Sequence, residues 1–259
     1  MTGRAFIPRN WRGFIFPVAA ILVIEVAMRT IGVESQSLAR PSEILRAAIG
    51  ALADGSMLTA TFQTLVSAFG GLIIGGGIGL VLGILMAMFP PLYWIAEVPF
   101  ETLRPIPSIA LLPLVLLIFG LGFAMEITLV AKTALWPVFF LTLTSVRGVK
   151  RRLIEFSSLI RMGLLERMAK IILPAALPGI FLGFRIAMGA ALIVAVTVEI
   201  AANPLGLGYA MMLAQERLQP ALMFAYLFWI GIVGWIFNAL TVLLQKRCFA
   251  PRQSGRAAT

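Results

Sequence analysis

The 259-residue sequence predicts an all-α protein that crosses a membrane about six times. Three observations lead there. Hydrophobic residues make up 60% of the chain and charged residues only 12%, against about 25% charged in soluble domains. Several apolar runs exceed the roughly 18 to 20 residues that a helix needs to cross a hydrocarbon core, and no stretch is left for a large soluble domain. The basic residues are gathered in a few segments, as they are in the cytoplasmic loops of membrane proteins.

Spans are expected at residues 14–31, 57–88, 92–121, 125–146, 177–202 and 221–244. They lie within a transmembrane domain over 14–246, flanked by basic tails at 1–13 and 247–259. The first run carries Glu25 and Arg29 and has no A-x-A-like cleavage site, so it reads as a retained span rather than a signal peptide. With both termini inside, the cytoplasmic segments hold Arg4, Arg9, Arg12, Arg147, Lys150, Arg151, Arg152, Arg161, Arg167, Lys170, Lys246, Arg247, Arg252 and Arg256. The external ones hold only Arg29, Arg40, Arg46 and Arg217. The net charge of +10 is thereby assigned to orientation and anionic headgroups, not to nucleic acid.

After the first span, "RPSEIL" opens a short amphipathic external helix with Ser42 as its N-cap. The second span carries Gly71, Gly75, Gly79 and Gly83 on one face, extended by Ser67, which predicts close packing of another helix. The third is broken by "LRPIPSIALLP", where Pro105, Pro107 and Pro113 remove backbone donors beside Arg104. The fifth carries Arg185 and Glu199, and "GLGY" follows it, with Gly206, Gly208 and Tyr209 in an outer loop. The sequence has no histidine, and its single cysteine, Cys248, reads as a free thiol; a His-based metal site and a disulfide framework are excluded.

Between the fourth and fifth spans lies a polar island, residues 147–174. Leu153, Phe156 and Ile160 share one helical face, and Leu164, Met168 and Ile171 another, with charged residues between. Two short helices with a turn near Met162 and Gly163 fit, Gly163 supplying the positive φ. Such a hairpin either docks a partner by its apolar ridge or lies on the headgroups.

The island resembles the cytoplasmic signature of ABC importer permeases, E-A-A, three residues, G, nine residues, I-x-L-P. Glu155 falls on the E, and Ile171, Leu173 and Pro174 on the ending. Phe156 and Ser157 replace the alanines; Arg161 stands at the glycine, with Gly163 two positions late. "RPSEIL", "LRPIPSIALLPLVLLIFGLG" and "LPAALPGIFLGFRIAMGAALIVAVTVEI" with "GLGYAM" are similar to the branch that imports nitrate, taurine and aliphatic sulfonates.

The resemblance implies a type I, MetI-like permease fold in a bacterial inner membrane, with the island as the segment that couples to ATP hydrolysis. It further implies two cytoplasmic ABC ATPase subunits that use ATP and magnesium, a second permease copy and an external substrate-binding protein. The chain itself has no G-x-x-x-x-G-K-[ST] phosphate loop and is expected to bind no cofactor or metal.

Charges inside the membrane are functional candidates, because each costs at least about 2.5 kcal/mol to insert. Glu97, Glu101 and Arg104 share a face, so that Arg104 either pairs with Glu101 or lines or gates the pathway. Lys132 is a further basic candidate. Arg185 either meets an acidic partner or attracts an anion, and Glu199 either caps locally or touches solute. A self-sufficient secondary transporter is the alternative, but neither inverted repeats nor a coupling-ion site is evident. A membrane enzyme lacks histidines and any carboxylate cluster beyond Glu97 and Glu101.

Overall fold

The computed structural model describes residues 12–31 and 38–249, and every regular element among them is helical. The helices are α1 (Arg12–Ile31), α2 (Pro41–Ala53), α3 (Ser56–Met88), α4 (Pro90–Leu103), α5 (Leu112–Phe119), α6 (Phe123–Arg147), α7 (Arg151–Leu159), α8 (Leu164–Arg167), α9 (Leu173–Ala201), α10 (Gly206–Glu216) and α11 (Pro220–Phe249). A 3-10 turn, Ser108–Leu111, precedes α5, and a π-helical stretch, Met168–Ile172, joins α8 to α9. Of the expected tails, residues 1–11 and 250–259, with Arg4, Arg9, Arg252 and Arg256, lie outside the described residues, while residues 12–13 begin α1 and residues 247–249, with Cys248, end α11.

Among the described residues, four helical stretches are long and apolar enough to cross a membrane: α3, α6, α8 through α10 taken as one, and α11. A fifth results if α4 and the stretch from Ser108 to Phe119, bent by 84°, count as one span. The expected count was about six. α1 is shorter than the other long helices, and among the described residues it packs chiefly on α2.

The core is a triangle of α3, α6 and α9. Its α3–α6 edge is made by the glycines: side chains at Gly71, Gly75, Gly79 and Gly83 would collide with Val130, Ala131, Leu135, Phe139 and Thr142 of α6. The two backbones therefore meet as the four-residue glycine spacing predicts. In lipid, where no hydrophobic effect draws helices together, that contact is what dispersion and packing have to work with. Gly76, one residue off this face, meets Phe184 of α9 instead.

One expectation about local structure is corrected. The N-cap of α2 is Arg40, whose N–H donates to the Glu43 carboxylate at 3.0 Å. Ser42 sits in the first turn, and its N–H and hydroxyl donate to Glu25 of α1 at 3.1 and 2.9 Å. Glu25 also pairs with Arg29 at 2.7 Å, which accounts for both charges within the first apolar run.

Candidate functional site

One end of the bundle carries the island. α7 is followed by a turn in which Arg161 takes a positive φ of 54°, whereas Gly163 is extended at φ −64° and ψ 158° and begins α8. This reverses the expected roles. The left-handed residue falls at the position of the signature glycine, although a side chain occupies it. The Met162 N–H donates to the Ser157 carbonyl at 3.1 Å, closing α7, and Ser157 is fully buried.

The far side of the island is continuous with α9. Pro174 has no N–H to offer the Lys170 carbonyl and crowds it, and the wider π turn directly upstream relieves that clash. Leu173 and Ile172 pack on Val146, Val149, Ala176 and Ile180, so the base of the island is anchored to α6 and α9. Ile171 is partly covered there. Its outer ridge is not: Phe156 is 57% exposed, with Leu153, Leu159, Ile160, Leu164 and Leu165 also exposed. Glu166 and Lys170 pair at 2.6 Å on the rim, and Glu155 lies on the same helix as Phe156.

Midway along the bundle lies the proline break. Lys132 of α6 donates to the Ile106 carbonyl, and Ser108 and Thr133 share a hydrogen bond of 2.6 Å. Pro105 and Pro107 cannot donate to the carbonyls of the preceding turn, and these α6 side chains hold the unwound backbone in place. Arg104 does not pair with Glu101. Its guanidinium lies 4.6 Å from the centre of the Phe140 ring. Arg185 meets no acid either, but reaches Gln245 at 3.3 Å and Asn238 at 3.5 Å on α11. Arg147 ties the ends of three helices together, lying over the Tyr93 ring and donating to the Met86 carbonyl at 3.1 Å.

At the opposite end, Glu199 turns inward, 1% exposed, and accepts the Gly208 N–H at 2.7 Å. Local capping is thus part of its role. A side chain at Gly206 would run into this carboxyl and one at Gly208 into the Val196 carbonyl and the Glu199 Cβ, and Gly206 also takes a φ of 86°, so both glycines are required for the approach. Glu126 of α6, also 1% exposed, lies beside Glu199 and accepts from Asn203 at 2.6 Å, across 77 residues of sequence.

The sequence reading missed Glu126, and its exclusion of further carboxylate clusters is corrected by this pair. Glu126 sits in a first helical turn, where an acid is ordinary, so spacing alone held no signal. Above the pair, the Gly206 N–H donates to Gln63 at 2.9 Å and the Leu207 N–H to Thr64 at 2.9 Å. Gln63, Gly206 and Tyr209 line an open cleft of about 640 Å³ with Arg217 and Tyr226.

Residues 79–253 match the model of the family described as binding-protein-dependent transport system inner membrane component. The chain is 30% identical over 244 residues to the protein of Bacillus subtilis named as aliphatic sulfonates transport permease SsuC, covering 94% of this chain and 88% of that one. It is 26% identical over 181 residues to the nitrate import permease protein NrtB of Leptolyngbya laminosa, covering 70% and 63%. The inward-facing MetNI methionine ABC transporter superimposes with a TM-score of 0.60 at 20% identity, over 82% of this chain and all of that one. That likeness concerns the fold.

Proposed function

Because the chain belongs to the family of binding-protein-dependent transport system inner membrane components, we propose that its island is the surface on which a cytoplasmic ATPase acts. The chain is a membrane-spanning permease subunit of an ABC importer, in the branch that includes the sulfonate and nitrate permeases. The solute is a small anion of that kind, in keeping with the relatives' names. A substrate-binding protein delivers it, and two copies of the permease form the pathway with two ATPase subunits.

The observation that carries this reading is the island itself. An anchored base with an exposed apolar ridge at Phe156 is the form needed to seat in a partner's groove and pass its movement to α6 and α9. The basic residues of the island support a cytoplasmic position for it, and hence an outer position for α10 and its cleft. Arg104 and Lys132, beside the proline break, line the pathway between them, and Lys132 also holds the break together.

Replacing Phe156 by Asp tests the reading. The variant is expected to insert normally but to lose its ATPase in detergent pull-down and to lose ATP-driven uptake. Full uptake with the ATPase still attached would remove the island from coupling.

A further inference from the structure

The buried carboxyl pair at the α10 end has no place in the reading above. Glu126 and Glu199 each have one oxygen held by an N–H: Asn203 Nδ2 on Glu126 Oε2 and the Gly208 amide on Glu199 Oε2. The other oxygen of each, Oε1, is buried without a well-formed hydrogen bond, as are Ser67 Oγ, which lies beside the Glu126 carboxyl, and Asn203 Oδ1; the Thr64 hydroxyl beside Glu199 already donates to the Ala60 carbonyl. Two ionised carboxylates side by side, shut away from water, repel each other strongly and leave both Oε1 atoms unsatisfied.

No cation offsets them among the described residues. α3 brings Gln63, Thr64 and Ser67, α10 brings backbone amides, and the stretch from Leu111 to Leu116 brings apolar side chains. The closest basic residue of α6 in sequence, Lys132, is committed to Ile106. Tyr209 lines the cleft.

We propose that Glu126 and Glu199 hold one proton between their two unpartnered oxygens and so form a proton-operated latch pinning α10 to the ends of α6 and α9. The O–H of one carboxyl donates to the other. Release transfers that proton to water at the floor of the cleft, beside Gly206, and leaves two carboxylates that push apart. Glu199 is bonded directly to the Gly208 amide, so this repulsion acts on the first turn of α10. Only the side of the membrane rests on the orientation proposed above; the latch does not depend on the importer reading.

Infrared spectroscopy of the full chain in lipid vesicles, titrated with pH, tests it without solute or ATPase. The wild type is expected to show a protonated-carboxyl C=O band at neutral pH that disappears under alkaline conditions. Glu126→Gln and Glu199→Gln, each of which can replace the shared O–H by an amide N–H, are expected to lack it. Since the folded chain then holds one proton that an unfolded glutamate has released, its unfolding equilibrium should shift toward the unfolded state about tenfold per pH unit above neutrality, until the latch titrates. Either Gln variant should flatten that dependence.

No such band in the wild type, or a band that survives in both variants, would overturn the proposal. Stabilisation by sodium or calcium in the wild type that is lost in Glu126→Gln would overturn it as well, because a cation would then occupy the proton's place. If both variants failed to fold, the wild-type titration would still decide.

Discussion

Arg161 holds a backbone conformation that costs an L-residue about 1 to 2 kcal/mol relative to glycine. The Arg161→Gly variant is therefore expected to tighten the island's turn, raising the unfolding midpoint of the permease–ATPase complex by about 1 kcal/mol equivalent without loss of coupling. A lower midpoint would mean that the guanidinium contributes a contact worth more than the backbone strain. Asp54 gives a second residue-scale expectation. Its carboxylate accepts the Ser56 N–H at 2.8 Å at the start of α3, and hydrogen bonds from Ser56 hold it below the usual carboxylate range. A lowered value means that its contribution is complete above the unfolded value near 4 and is lost as pH falls through the folded one. Hydrogen exchange in the first turn of α3 should accordingly rise in acid for the wild type and be high throughout for Asp54→Ala.

At the scale of elements, the glycine face of α3 makes an internally controlled prediction. Gly75→Ala drives a methyl into the Ala131 backbone and should cost about 1 to 3 kcal/mol through forced separation of α3 and α6. Gly77, two residues away, has open space at the same atom, so Gly77→Ala should be neutral or stabilising by up to about 1 kcal/mol. Thermal unfolding in detergent compares the two, and equal midpoints would refute the packing account. The proline break is a different kind of element, irregular backbone held by side chains. Lys132→Met should leave the Ile106 carbonyl without its donor, at about 1 to 3 kcal/mol, and raise protease sensitivity between α4 and α5.

For the whole molecule, the α3, α6 and α9 triangle separates two working ends, the island at one and α10 with its carboxyl pair at the other. α9 joins them, starting at the π turn below the island and carrying Glu199 in its last turn. A single continuous helix thus runs from the proposed ATPase surface to the proposed outer mouth. Adding ATP to vesicles that contain the permease alone should give neither hydrolysis nor uptake, and adding the purified ATPase and binding protein should give both. Uptake by the permease alone, without ATP, would favour a secondary transporter.

Amino-acid order alone determined the helical membrane class, the glycine face, the proline break and the place of the island, since each rests on local features: apolar run length, four-residue spacing, a missing N–H, a charge run. The resemblance of Glu155, Ile171, Leu173 and Pro174 to the importer signature is likewise a reading of the sequence. Tertiary structure decided which residue of the island turn is left-handed, and that Arg104 rests on Phe140 rather than on Glu101. It also decided that Arg185 meets neutral amides and that Glu126 lies against Glu199. These outcomes depend on groups from different helices arriving at one point. Helical periodicity says which side of a helix a residue occupies, but not what will stand opposite it.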